Sequence, residues 1–147
     1  MIYQSFVQNS LEEAAIIARK SFGKVSCTTK AWDNNQVLTE TDLQIGDLLI
    51  GKIQSAFPEH NIIDEERWVI DKKSSYTWVI DPIDGTSNFA NSVPLYGIML
   101  GLLENSIPVA GWIALPNFSE IYTAEKWQGT YCNSEKISVS WESDLKN

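Results

Sequence analysis

Basic charge is scarce in this chain: 11 Lys and Arg stand against 19 Asp and Glu, for a formal net charge of −8. No cationic patch is available to neutralise a phosphate backbone, which excludes nucleic acid and acidic membrane surfaces as partners. Cysteine is nearly absent. Cys27 and Cys132 lie far apart with no Cys-x-x-Cys spacing, and they read as buried free thiols rather than a disulfide or a zinc site. The one histidine, His60, follows Pro58 and Glu59 in a segment that reads as an exposed loop, so it is taken as a bystander. No run of about 18 apolar residues exists to span a bilayer. Glu12 and Glu13 near the N-terminus, with no basic segment before an apolar run, do not read as a signal peptide. The chain is accordingly read as cytoplasmic. Repeats, low-complexity tracts and interdomain linkers are also missing. With 147 residues and 44% hydrophobic content, the expectation is one domain around one core.

What is present is two helical patterns followed by strands. Residues 2–22 carry Phe6, Leu11, Ala14, Ala15, Ala18 and Phe22 near helical spacing, with Gly23 as the stop. A strand is predicted at 25–30 and a polar loop at Asp33-Asn-Asn-Gln36. Thr39 with Asp42 three residues on forms a capping-box pattern. The helix it opens puts Ile45, Leu48, Leu49, Lys52, Ile53 and Ala56 along one side and ends before Pro58. Gly46 and Gly51 inside it each cost about 1 kcal/mol relative to Ala, which implies close packing against a neighbour or a weaker helix. Strands follow at 61–64, 77–81, 96–104, 107–115, 120–124 and 136–139, with turn-like links at Asn105-Ser106, 116–119 and Asn133-Ser134. The predicted class is α+β: two N-terminal helices packed on one face of a mostly antiparallel sheet. Of the six tryptophans, Trp78 and Trp112 fall inside strands and read as core; Trp32, Trp68 and Trp127 fall in or near loops, where packing is preferred over a pocket role.

Residues 81–89, Asp-Pro-Ile-Asp-Gly-Thr-Ser-Asn-Phe, follow the apolar run Thr77-Trp-Val-Ile80 and carry the most chemistry. Asp81 and Asp84 flank Pro82, which fixes φ and stiffens the turn. Gly85 admits a backbone conformation closed to other residues and lets a ligand approach the main chain. Thr86 and Ser87 open a short helical turn whose free N–H groups favour an anion, with Thr86 read as its N-cap. Phe89 is expected to anchor the turn to the core. Carboxylates for a hard cation beside amides for a phosphate point to metal-assisted phosphoryl chemistry. Taken alone, Asp64, Glu65 and Glu66 would be a solvated acidic turn, Asp42 a helix cap, and Lys30 a solvated strand-end charge.

The nine residues from Asp81 to Phe89 resemble the signature of the inositol monophosphatase family, magnesium-dependent, lithium-sensitive sugar-phosphate phosphatases. The resemblance extends through Lys30, Thr39-Glu-Thr-Asp42, Ile63-Asp-Glu-Glu66, Gly111-Trp-Ile-Ala-Leu-Pro116 and Ile137-Ser-Val-Ser140. It covers nearly the whole chain but only the first half of the family's usual length, so residues 1–147 are expected to be a single N-terminal metal-binding domain of the layered αβαβα sugar-phosphatase fold, without a C-terminal domain. The resemblance implies Mg2+, with Mn2+ as a substitute, held by Glu65, Asp81, Asp84 and the Ile83 carbonyl. It implies Glu65 and Thr86 orienting an attacking water, Asp42 holding water in the outer shell, and the backbone at Gly85, Thr86 and Ser87 receiving phosphate. Lys30 is a cation near the substrate phosphate on this reading. The family segment reads Gly-Glu-Glu where this chain has Asp64-Glu-Glu, which adds a Cβ and a charge beside Glu65; Glu66 stays a solvated residue.

The implied reaction is direct in-line hydrolysis of a small-molecule phosphate ester, with inositol, fructose and nucleotide phosphates equally open as substrates. The family's second half brings a further metal ligand and most sugar contacts, and nothing in residues 141–147 replaces them. A homo-oligomer or a complementing C-terminal chain is therefore expected as a partner. The alternative is a non-catalytic metal-binding or interaction module that retains the signature.

Overall fold

A computed structural model of the chain describes residues 3–24, 27–30, 33–67 and 69–141, with backbone alone at 27–30 and 33–37. Helix α1 (Gln4–Ser21) buries Val7, Leu11, Ala14, Ala15 and Ala18, a stripe at helical spacing, and Gly23 follows in the left-handed region at φ +73°. Two short strands, β1 (Cys27–Lys30) and β2 (Asp33–Thr39), form an antiparallel ribbon of their own. Asp33-Asn-Asn-Gln36, expected as a loop, falls within β2; of these residues only Asp33 has a partner in β1, opposite Lys30, and 34–36 form the irregularity between that pair and Thr29 with Val37.

Thr39 ends β2 and caps α2 (Glu40–Ala56) through a complete capping box. The Asp42 carboxylate accepts the Thr39 backbone N–H at 3.0 Å, and the Thr39 hydroxyl faces the Asp42 amide at 3.4 Å. Ile45, Leu49 and Ile53 are buried beneath α2, while Lys52 at its flank pairs with Glu13 of α1 at 2.8 Å. Gly46 is closely packed as expected; Gly51 faces open space.

The main sheet has eight strands: β3 (Asn61–Asp64), β4 (Val69–Ile70), β5 (Tyr76–Asp84), β6 (Gly97–Glu104), β7 (Ile107–Leu115), β8 (Glu120–Glu125), β9 (Gly129–Cys132) and β10 (Glu135–Ile137). Their spatial order is β10-β9-β8-β7-β6-β5-β3-β4. All pairs are antiparallel except β3 with β5, so the class is α+β with a mostly antiparallel sheet. The links Asn105-Ser106 and Asn133-Ser134 hold both residues at positive φ, the geometry whose twist matches tight hairpins. β4 and β9 were not anticipated. β9 makes the Lys126-Trp127-Gln128 segment a hairpin turn, and Trp127 is 91% exposed there rather than packed.

Both helices lie on one face, over Trp78 and Ile80 of β5, Ile98, Leu100 and Leu102 of β6, and Trp112 and Ala114 of β7. Trp78 is fully buried and stacks on Trp112 at 5.9 Å. Cys132 is a half-buried free thiol; the Cys27 side chain, the Lys30 side chain, Trp32, Trp68 and residues 142–147 lie outside the described residues. Among the described residues, no helix is long and apolar enough to cross a membrane.

His60 is half-buried rather than exposed. Its ring lies between Phe57, at 5.1 Å, and Tyr76, at 5.0 Å, and its Nδ1 accepts the Trp78 indole N–H at 3.1 Å. Burial lowers its pKa below the ordinary 6.5, so the folded state favours the neutral ring. The unfolded chain then binds the extra proton first on acidification, and stability falls as pH drops through the window that opens at the ordinary value of 6.5 and extends below it. Thermal midpoints across that window should therefore fall further for the wild type than for His60→Gln, which does not titrate. Parallel curves would refute the coupling.

Candidate functional site

β5 leaves the ladder where the motif begins. Asp81 pairs with Met99 and Asp84 with Gly97, with one extra residue on β5 between them, which is a bulge. Pro82, which has no N–H to give a ladder, is accommodated there. The bulge buries Ile83 and turns Asp84 out to solvent. Gly85 then sits at φ +85°, where a Cβ would also stand 3.1 Å from the Leu95 carbonyl oxygen; conformation and space both require glycine. It is Gly85, not Thr86, that caps α3 (Thr86–Ala90), and no side chain caps this helix. Phe89 is fully buried against Phe22 and Tyr96, so it anchors the turn as expected.

The Thr86 hydroxyl is instead a link between elements. It lies 3.2 Å from Asp42 Oδ1 and 2.9 Å from the Ile83 carbonyl oxygen, and its proton is shared between these acceptors. Asp42 is fully buried at the N-terminus of α2 and holds both Thr39 and Thr86. Burial pushes its carboxyl up, while the hydrogen bonds from Thr39 and Thr86 pull it back. Capping and site-building thus coincide in one side chain.

β3 delivers the other carboxylate. Glu65 is exposed just past the strand end, and its N–H donates to the Ile80 carbonyl at 3.1 Å, holding it beside β5 one residue before Asp81. Asp64 and Glu66, read from sequence as a solvated turn, are buried at 5% and 6% exposure. They flank Glu65 because β3 is inside the sheet, between β4 and β5, and the chain must turn against α2.

Asp81 is the electrostatic centre of the group. Its carboxyl is pushed up to about 7, chiefly by burial and next by the facing Glu65, with Asp84 and Glu66 adding repulsion. Its Oδ1 is buried with no hydrogen-bond partner. An acceptor in that position, surrounded by like charge and supplied only with oxygen donors, suits a hard divalent cation. Among the described residues, no three acidic, histidine or cysteine side chains are already drawn into one metal-holding cluster. Glu65 and Asp81 are brought together, Asp84 stands across the bulge, and the Ile83 carbonyl is engaged by Thr86 with a lone pair to spare. Gly85 and Thr86 are half-exposed beside them, and Ser87 is exposed.

Two features went unread in the sequence. Arg67 forks onto Asp47, with Nη2 at 2.8 Å from Oδ2 and 3.2 Å from the Leu43 carbonyl, tying the Glu65 turn to α2. Its only sequence signal is the opposite charge of Arg67 and Asp47, 20 residues apart. A separate groove of about 490 Å³ lies between α1 and β7–β9, floored by Trp112, Ala114 and Ile121. None of the candidate site residues lines it, and the site is located by its carboxylates rather than by concavity.

The family model described as the Inositol monophosphatase family matches residues 3–147. Inositol monophosphatase 2 of Mus musculus is 35% identical, covering 97% of this chain and 50% of its own length. A fructose-1,6-bisphosphatase/inositol-1-monophosphatase of Aquifex aeolicus is 36% identical over 62% of this chain and 34% of its own. Among solved structures, a Thermotoga maritima IMPase superposes with a TM-score of 0.91 at 30% identity, covering 99% of this chain and 56% of that one. The chain spans about half the length of the curated relatives it matches.

Proposed function

This chain belongs to the inositol monophosphatase family, and from that membership we propose that it carries the metal-binding, water-orienting half of a magnesium-dependent phosphomonoesterase for a small sugar phosphate such as inositol monophosphate. The observation that carries the reading is Asp81: a half-buried carboxylate with one buried, unpartnered oxygen, set against Glu65 at the ends of two adjacent strands. Glu65, Asp81, Asp84 and the Ile83 carbonyl are the proposed ligands of Mg2+, for which Mn2+ can substitute. When bound, such a cation supplies a lowered pKa to water and charge neutralisation to the leaving oxygen.

The chain's own residues supply positioning. Because the Thr86 hydroxyl spends its proton on Asp42 and Ile83, its remaining lone pairs can accept a hydrogen bond from the attacking water and aim it. Asp42 fixes that hydroxyl, and Glu65 accepts the second proton of the same water. The backbone at Gly85, Thr86 and Ser87 is the proposed seat of the phosphate oxygens. No protein nucleophile is needed, since phosphoryl transfer is mostly positioning and charge neutralisation. The two activities named for the Aquifex aeolicus relative leave fructose bisphosphate open beside inositol monophosphate as the substrate.

The test is Thr86→Ala in a protein completed with a relative's C-terminal half. An orienting role predicts a kcat lower by about 100-fold or more with KM changed little, because the contact is made mainly in the transition state. Thr86→Ser should recover most of the rate. If the hydroxyl only braces Asp42 against Ile83, Thr86→Ala should cost about 1 kcal/mol of stability and leave kcat intact. A second reading rests on the half-length match: a module that keeps the metal site without turnover. Magnesium binding with no phosphate release from the completed protein would favour it.

A further inference from the structure

Behind Glu65 lies a packed contact in which this chain departs from the Gly-Glu-Glu pattern it otherwise resembles. Asp64, at the end of β3, is 5% exposed. Its Oδ1 accepts the Glu66 N–H at 2.7 Å, closing a tight turn around Glu65, whose own N–H is held by Ile80. Its Oδ2 is buried, has no hydrogen-bond partner, and points at Gly46 of α2. A Cβ built at Gly46 would stand 2.8 Å from that oxygen and 3.5 Å from Cγ of Pro82. Helix α2, the Glu65 turn and the Asp81 bulge therefore meet at one glycine. Gly46 lies one turn after Asp42 on the same helix face. Arg67 ties the far end of the turn to the same stretch of α2, through Asp47 and the Leu43 carbonyl.

We infer that Asp64 and Gly46 are a matched pair of positioning residues that sets where Glu65 stands relative to Asp42 and Asp81. The side chain at 64 supplies the acceptor that holds the turn, and the missing side chain at 46 makes the room that this acceptor needs. A glycine at 64 would neither hold the turn through a side chain nor require the gap. Nothing in the capping box or the motif calls for glycine at 46; the carboxylate opposite does. The metal consequence rests on the function proposed above, whereas the pairing itself does not.

The experiment uses Gly46→Ala, Asp64→Gly, the double variant and Asp64→Asn, with two readouts. The first is the denaturant midpoint in chelator, without metal. Gly46→Ala should lower it in the wild-type background and raise it in the Asp64→Gly background. There the remaining neighbour, Pro82 Cγ at 3.5 Å, is in ordinary contact and alanine is the better helix former. If Gly46→Ala alone does not fold, recovery of a folded double variant is the same result. Equal shifts in both backgrounds would overturn the pairing.

The second readout is Mg2+ affinity by calorimetry. Asp64→Asn and Asp64→Gly lose the same charge, but only Asn keeps an acceptor for the Glu66 N–H. Asp64→Gly should weaken binding about tenfold or more, the scale of a lost outer-shell partner, and Asp64→Asn should stay within about threefold of wild type. Equal affinities for the two would overturn the positioning role alone. A wild-type chain that binds no Mg2+ would overturn the proposed function and this role with it.

Discussion

Asp81→Asn should abolish measurable Mg2+ binding to this chain while making the metal-free protein more stable at pH 8. The two effects share one cause. Asp81 sits half-buried against Glu65, with Asp84 and Glu66 nearby, and its pKa is raised to about 7 by burial first and these charges second. Between the ordinary carboxylate value of 3.8 and about 7, the folded state holds a proton that the unfolded chain has released. Stability is therefore full below that window and is lost as pH rises through it, so at pH 8 an ionised Asp81 opposes folding. Asn keeps the shape and removes the charge. The metal loses a ligand outright, which should cost more than the roughly 10–100-fold typical of an outer-shell partner. Calorimetric titration with Mg2+ and Mn2+, paired with thermal melts in chelator at pH 8, reads both signs. Undiminished binding by the variant would remove Asp81 from the ligand set, and a destabilised metal-free variant would show that the repulsion is not what its burial implies.

The sequence was most legible where chemistry is local. The Thr39–Asp42 box needs only four residues and its bonds form as read. The Asn-Ser hairpin links likewise follow from residues that tolerate positive φ, and the two apolar runs on either side of Asn105-Ser106 form β6 and β7 as read. Failures came where a distant partner decides. Asp33-Asn-Asn-Gln36 reads as a polar loop, yet Asp33 pairs with Lys30 of β1 and 34–36 are carried within β2 as an irregularity. Thr86 looked like a cap because Thr opens many helices, yet Gly85 already provides the left-handed entry and frees the hydroxyl for Asp42, 44 residues away. Asp64 and Glu66 looked solvated because three acids in a row usually are; their burial depends on α2 lying behind the strand end. His60 is held by Trp78 and two rings that only tertiary contact supplies. Gly46 is the intermediate case: its cost inside a helix signalled a close neighbour without naming Asp64. Among the carboxylates, the motif singled out Asp81 and Asp84, while Glu65, a solvated residue on its own pattern, was supplied by the family resemblance and faces Asp81 in space.

The other large effect concerns the face of the sheet opposite the helices. Strand alternation puts Trp78, Ile80, Ile98, Leu100, Trp112 and Ala114 under the helices, and so turns Val79, Met99, Leu103 and Ile113 to the other side. Ladder register sets Met99 opposite both Asp81 and Ile113, and Val79 beside Ile63. The helix-free face is thus apolar and continuous with the Glu65 and Asp81 carboxylates. Ile63 and Ile113 are 39% and 38% exposed, and Leu95 near the same end is 62% exposed. These 147 residues match about half the length of such relatives. Apolar area of this kind recruits a partner. These 147 residues alone should therefore run as dimers or larger species by sizing with light scattering, and should release phosphate from inositol monophosphate negligibly. Ile113→Lys should shift them toward monomer with an unchanged helical signal, since the residue contributes to the exposed face and not to the core. Mixing with the C-terminal half of a relative should compete with self-association and restore magnesium-dependent turnover. A monodisperse wild-type monomer that turns over inositol monophosphate at about 1 per second or faster would sink both parts of the argument. So would an Ile113→Lys variant whose oligomers persist, because the contact would then lie elsewhere than on the face that carries Asp81.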